Sequence, residues 1–193
     1  MQLASSPREP RLSRAAVIGL LYGALGGLAI IWGQFRHQPN IYEYPLGAHN
    51  PLWLWAGPVV GMAFGLAMVF LSRLATHSME WARVLHQEFH AVVHELSSKE
   101  IFILAAASSI GEEMFFRGAM LPAIGLWWSS ALFAGMHVRA QWRFLPWTIM
   151  SFIMGLAMGL LHMKLGNLGA PIVAHFTINF LNLNYITKTE LRA

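Results

Sequence analysis

The sequence predicts an all-α polytopic transmembrane helix bundle of about six spans with an added amphipathic surface helix, and three observations predict it. The 193-residue chain is 56% hydrophobic and only 11% charged. Its apolar residues stand in long runs instead of the scattered pattern of a soluble core. One segment, Ser72 to Glu100, breaks the series with apolar residues at helical spacing among charged ones.

Met1 to Arg14 is polar and basic, with Pro7, Pro10, Arg8, Arg11 and Arg14, and reads as a disordered tail on the cytoplasmic side. Ala15 to Gly33 follows as a first span; it is long for a signal peptide and lacks a persuasive small-x-small cleavage site. Gln34 to Pro51, with its Pro, Asn, Tyr and His, reads as a loop. Leu52 to Leu71 is a second span whose glycines at 57, 61 and 65, four apart, favour close helix packing. In the amphipathic segment Trp81, Leu85, Phe89, Val92 and Leu96 form the apolar stripe. Arg83, His86, Glu88, His90 and Glu95 fill the remainder, as on a helix lying along a membrane surface. A third span runs from Ile101 to near Pro122, and a fourth from Leu126 to His137. Beyond a polar break at Arg139 to Arg143, Phe144 to Met163 is a fifth span, Lys164 to Gly169 a turn, and Ala170 to Ile186 a sixth. Spans four and six are short for a bilayer, so tilt or local thinning is expected. The chain divides into a tail (1–14), two spans with a connector helix (15–99), a carboxy-terminal core (100–186) and a second tail (187–193).

A cytoplasmic amino terminus puts Arg8, Arg11, Arg14, Arg73, Arg83, Lys99, Arg139, Arg143, Lys188 and Arg192 inside and leaves Arg36 and Lys164 outside. The positive-inside rule favours that orientation, with the carboxy terminus cytoplasmic as well. The formal charge is +4, yet Lys and Arg sit singly between apolar runs, which argues against nucleic acid as a partner. The absence of cysteine excludes disulfides, thiolate nucleophiles and Cys-ligated zinc.

An ionisable group inside a span costs roughly 2.5 to 3.5 kcal/mol on insertion scales, so a cluster of them needs a reason. Span three holds Glu112, Glu113 and Arg117. Glu113 and Arg117 are four apart with the acid nearer the amino end, the favoured order for a pair. Glu112 is rotated about 100° from Glu113 by the helical repeat, so it is expected to project elsewhere, a carboxylate left over for chemistry. Span four ends in Phe133-Ala134-Gly135-Met136-His137, and span six carries His175 and Asn179 on one face. Convergence of these residues would set a carboxylate, two imidazoles and an amide in a cavity shielded from lipid. A carboxylate made more basic by burial takes a proton from water near neutral pH, with an imidazole fixing the water. Asn and His donors aimed at a carbonyl oxygen stabilise the oxyanion.

Glu112-Glu113-x-x-x-Arg117, Phe133-x-x-x-His137 and His175-x-x-x-Asn179, in this order, resemble the signature of the CPBP family. That family holds the CAAX prenyl endopeptidases and bacterial proteins once labelled Abi. The likeness covers residues 100 to 183, includes the run Gly166 to His175, and extends to residues 1 to 99 only in hydropathy. It implies a glutamic intramembrane endopeptidase of a bacterial inner membrane, acting on a membrane-associated or lipid-anchored protein or peptide without a cofactor. It further implies that Glu112 and His137 activate water, that His175 and Asn179 form the oxyanion site, and that Glu113 and Arg117 hold the architecture. Neither the substrate nor the oligomeric state is legible.

Other readings compete. A zinc ion held by Glu112, His137 and His175 is the mechanistic rival, since two imidazoles and a carboxylate make a catalytic zinc set. A noncatalytic immunity or scaffolding protein would keep the polar cluster for helix packing alone. A proton-coupled transporter would use Glu and His as a relay, but the chain shows no internal repeat. His86, His90 and His94 recur every four residues without a fixed fourth ligand, and H-E-x-x-H is absent. His162 reads equally as a packing or an interface residue and stands outside the site. Trp127, Trp128, Trp142 and Trp147 read as an interfacial belt. Straight spans would keep His137, near the cytoplasmic end of span four, apart from His175, near the outer end of span six, so these helices are expected to be tilted, broken or partly re-entrant.

Overall fold

The computed structural model describes residues 13–38, 40–47 and 50–191. Residues 1–12 of the expected amino-terminal tail, with Arg8 and Arg11, and Arg192 near the carboxy terminus lie outside the described residues. The order of elements is α1 (Arg14–Phe35), α2 (Leu52–Ser78), α3 (Glu80–Val93), α4 (Ser98–Glu112), a π-helical stretch (Glu113–Met120), α5 (Leu121–Gly135), a short 3-10 turn (Trp142–Phe144), α6 (Leu145–Leu165) and α7 (Gly169–Lys188). The molecule is an all-helical membrane bundle. Among the described residues four stretches are long and apolar enough to cross a bilayer: Arg14–Phe35, Leu52–Ser78, Ser98–Gly135 and Trp142–Leu165. Helix α7 has comparable length, but His175, Asn179, Asn182 and Asn184 make it more polar than these.

The stretch Ser98–Gly135 has 38 residues. Straight, it would be about 57 Å long, nearly twice a bilayer core of about 30 Å. It is not straight, because Gly125 leaves the helix at φ 84°, ψ 170°, a conformation open to glycine alone. The chain doubles back there. Phe116 and Phe133, which a continuous helix would hold about 25 Å apart, meet edge to face with ring centroids 5.2 Å apart. Spans three and four of the sequence are thus the two arms of a helical hairpin, and the short second arm is the expected broken element.

Helix α7 is the hub, packed against α2, α3, α4 and α6. The glycine ladder of α2 works as its spacing suggests: a Cβ on Gly61 would collide with the Ala170 carbonyl oxygen, and one on Gly65 would lie 2.9 Å from that of Ala174. Arg73 closes the lower end of this seam, donating to Asn182 Oδ1 (2.8 Å) and the Leu181 carbonyl (3.0 Å) with its guanidinium 3.7 Å over the Tyr185 ring. On the opposite side, Tyr44 N–H donates to the Gly166 carbonyl and Leu168 N–H to that of Tyr42, so the α1–α2 loop is tied to the turn before α7.

The amphipathic segment is shorter than expected, because α2 runs on to Ser78 and α3 covers only Glu80–Val93. Its inner face also differs. Ala82, His86 and Val93 are buried, whereas Trp81 and Val92 of the expected stripe are exposed. The physical reason lies at the end of α7, whose last carbonyls lack helical partners. His86 Nε2 donates to the Thr189 carbonyl (2.7 Å) and His90 Nδ1 to that of Ile186 (2.6 Å).

Candidate active site

The site grows from the antiparallel packing of α4 and the π stretch on α7. On α4, Ser108 and Glu112 share a face one turn apart; on α7, His175 and Asn179 do the same. The two faces meet as a ladder. Asn179 Nδ2 donates to Ser108 Oγ at 3.1 Å, and His175 Nε2 lies 3.9 Å from Glu112 Oε2. Ser108 donates its own proton to the Ala105 carbonyl at 3.3 Å, so its lone pair is what Asn179 meets.

Glu113 is fully buried and accepts on Oε1 from both Arg117 Nη1 (3.0 Å) and His175 Nδ1 (2.7 Å). The sequence anticipated the first bond and missed the second. Glu112 stays out of the Arg117 pair, as its rotation predicts, and the two carboxylates approach different nitrogens of one imidazole, Glu113 at 2.7 Å and Glu112 at 3.9 Å. The helix changes from α to π register at Glu113. A wider turn reduces the angle between successive side chains, and such stretches recur at functional sites. The bonding fixes the tautomer: a carboxylate only accepts, so Nδ1 of His175 carries a proton and Nε2 faces Glu112. Glu112 Oε2 is buried and has no protein hydrogen-bond partner.

Phe133 ties the hairpin's second arm to this cluster. Its ring lies 4.3 Å below the Arg117 guanidinium, 4.6 Å from the His137 ring and 6.3 Å from the His175 ring by centroid. With Phe133 opposite Phe116, His137 lies one further turn along the antiparallel arm. His137 Nδ1 donates to the Phe133 carbonyl at 2.8 Å, which leaves its Nε2 lone pair free. Trp147, expected in the interfacial belt, packs instead against His137 (5.5 Å) and Phe89 (4.9 Å). Trp127, Trp128 and Trp142 are exposed, as belt residues are.

Glu112, Glu113, Arg117, Phe133 and His175 therefore touch or nearly touch, Asn179 stands one turn along α7, and His137 joins through Phe133. Ser108 escaped the sequence analysis, although its place one turn before Glu112 was a usable signal. Tyr22 escaped it as well. This α1 residue lies against Gly111, the neighbour of Glu112. Among the described residues no three His, Cys, Asp or Glu side chains converge as a metal ligand set, the surface histidines included. His162 is fully buried with its ring edge-on to Tyr44 at 5.5 Å, a packing position and not an interfacial one.

Comparison with known proteins points the same way. The uncharacterized protein YpbD of Bacillus subtilis (strain 168) is 38% identical over 86 residues, 43% of this chain and 43% of its own length. The sporulation-killing factor biosynthesis protein SkfC of the same organism is 29% identical over 147 residues, 64% of this chain and 29% of its own. The chain spans less than half the length of these curated relatives. No solved structure matches. Residues 96–181, which carry all three motifs, match the family model Type II CAAX prenyl endopeptidase Rce1-like.

Proposed function

We propose that the protein is an intramembrane endopeptidase in which Glu112 takes a proton from water as it attacks a peptide bond. His137, with Nε2 free, orients that water. His175 and Asn179 face the carbonyl oxygen as donors, His175 with both nitrogens protonated and its charge balanced by Glu113. Glu113 and Arg117 orient His175 and touch no substrate. The reaction requires no metal in this reading. The observation that carries it is the contrast between two adjacent glutamates: each has a buried oxygen without a protein partner, but Glu113 is committed through its other oxygen to both Arg117 and His175, while Glu112 is left with a 3.9 Å approach to His175 Nε2.

The substrate we propose is a membrane-associated or lipid-anchored protein or peptide, in keeping with the name of the matched family and with a relative named for killing-factor biosynthesis. Both termini face the cytoplasm in this reading, as the charge asymmetry of the loops favours. Proteomics of membrane fractions from cells with the parental protein or Glu112→Ala tests the function. A precursor that accumulates only with the variant is expected. A scaffold would leave the membrane proteome unchanged and would tolerate Glu112→Gln and His137→Asn. Loss of cleavage to a strong chelator, restored by added zinc, would overturn the metal-free mechanism.

A further inference from the structure

Helix α1 lies outside the matched residues 96–181 yet borders the site. Between Ala15 and Gly33 it is almost wholly apolar, and Tyr22 is the sole hydroxyl-bearing residue of the span. That hydroxyl is not placed at random. Helices α1 and α4 run parallel from a shared base, where Arg14 and Glu95 pair at 2.9 Å. Higher up, Tyr22 lies against Gly111 and Gly26 against Met114. The approach is close: a Cβ on Gly111 would fall 2.6 Å from the Tyr22 carbonyl oxygen and 3.1 Å from its Cβ. The contact sets Tyr22 beside Glu112, the residue that follows Gly111.

We infer that Tyr22 is a positioning residue for Glu112, its hydroxyl donating to one carboxylate oxygen so that the other is held toward His175 and the attacking water. The inference rests on the function proposed above for what Glu112 does, but the contact itself is independent of it. The titratable and charged groups around Glu112 are Tyr22 from α1, Glu113 and Arg117 from the π stretch and His175 from α7. Arg117 and the Nδ1 proton of His175 are committed to Glu113. A neutral donor from α1 steadies the Glu112 carboxylate in its ionised form without placing a competing cation beside it.

Tyr22→Phe removes the hydroxyl, keeps the ring and suits an apolar span. The test is the pH profile of Glu112 labelling by a hydrophobic carbodiimide, which reacts with protonated carboxyls, read by mass spectrometry on the full chain in lipid nanodiscs. Labelling absent in Glu112→Gln identifies the site. Loss of a hydrogen bond to a charged group should move the Tyr22→Phe profile about one pH unit upward. Leu21→Phe, the neighbouring position on α1, is the control: it alters the span without removing the hydroxyl and should leave the profile unchanged. An unmoved or downward-moved profile in folded Tyr22→Phe overturns the inference, as does an equal upward shift in Leu21→Phe. An upward shift confined to Tyr22→Phe, in a protein whose Glu112→Ala variant accumulates no precursor, would keep Tyr22 in its positioning role and reject the protease.

Discussion

Helix α7 presents two faces that work by opposite rules. Toward α2 it offers Ala170, Ala174 and Thr177, and what matters there is the absence of atoms: Gly61 and Gly65 let the backbones touch, and nothing larger fits. Toward α4 it offers His175 and Asn179, and what matters is which atoms are present, since each side chain has an assigned partner. Packing on the first face sets the depth and rotation of the helix. The second face needs that rotation, because a 100° turn would swing both His175 and Asn179 off the α4 ladder. Close steric fit on one side is thus what makes polar chemistry possible on the other.

Substitutions on the two faces should separate these contributions. The largest stability loss is expected for Glu113→Ala, which strands the buried Arg117 guanidinium and the His175 donor together. Breaking one partner of a buried pair costs about 3–5 kcal/mol. Unfolding of the purified protein in detergent measures it, and a loss below about 1 kcal/mol would mean the pair is not buried as described. Gly61→Ala comes next, at about 1–3 kcal/mol for overpacking, with partial loss of activity as α7 shifts. Equal stability of Gly61→Ala and the parent would show that the α2–α7 seam is looser than the glycine contacts imply.

The smallest effect belongs to the base of α7. Burial is the main influence on His86 and lowers its proton affinity, outweighing the bond to Thr189, with His90 and Arg73 adding to the lowering. A histidine so shifted is neutral in the docked state. Docking of α3 is therefore unaffected by pH above the ordinary histidine value of about 6.5 and weakens as pH falls below it. Hydrogen exchange of the α3 amides should rise between about pH 6.5 and 5. Exchange that slows over that range would contradict the sign.

Much of this was legible in the sequence because it is written in local periodicity. The glycines at 57, 61 and 65, the pair at 113 and 117, and the pair at 175 and 179 all rely on helical spacing, which holds wherever a helix forms. The separation of spans three and four between Pro122 and Leu126 was equally visible, since Gly125 marks the break. What escaped depends on distant partners. The bond from His175 to Glu113 joins residues 62 positions apart, and no local pattern announces it. Ser108, Tyr22 and Trp147 are ordinary residues on their own helices and acquire meaning only when α7, α4 and the hairpin arm close around them. The inward turn of His86 likewise follows from the end of a helix about a hundred residues away.

The division of labour between the two glutamates is open to direct measurement. Once a precursor is identified, its cleavage by purified Glu112→Gln in lipid nanodiscs should be slower by about 10²–10⁴-fold, the span of general acid–base contributions, while the variant melts within a few degrees of the parent. Cleavage at the parental rate by folded Glu112→Gln would contradict the assignment of Glu112 as the base.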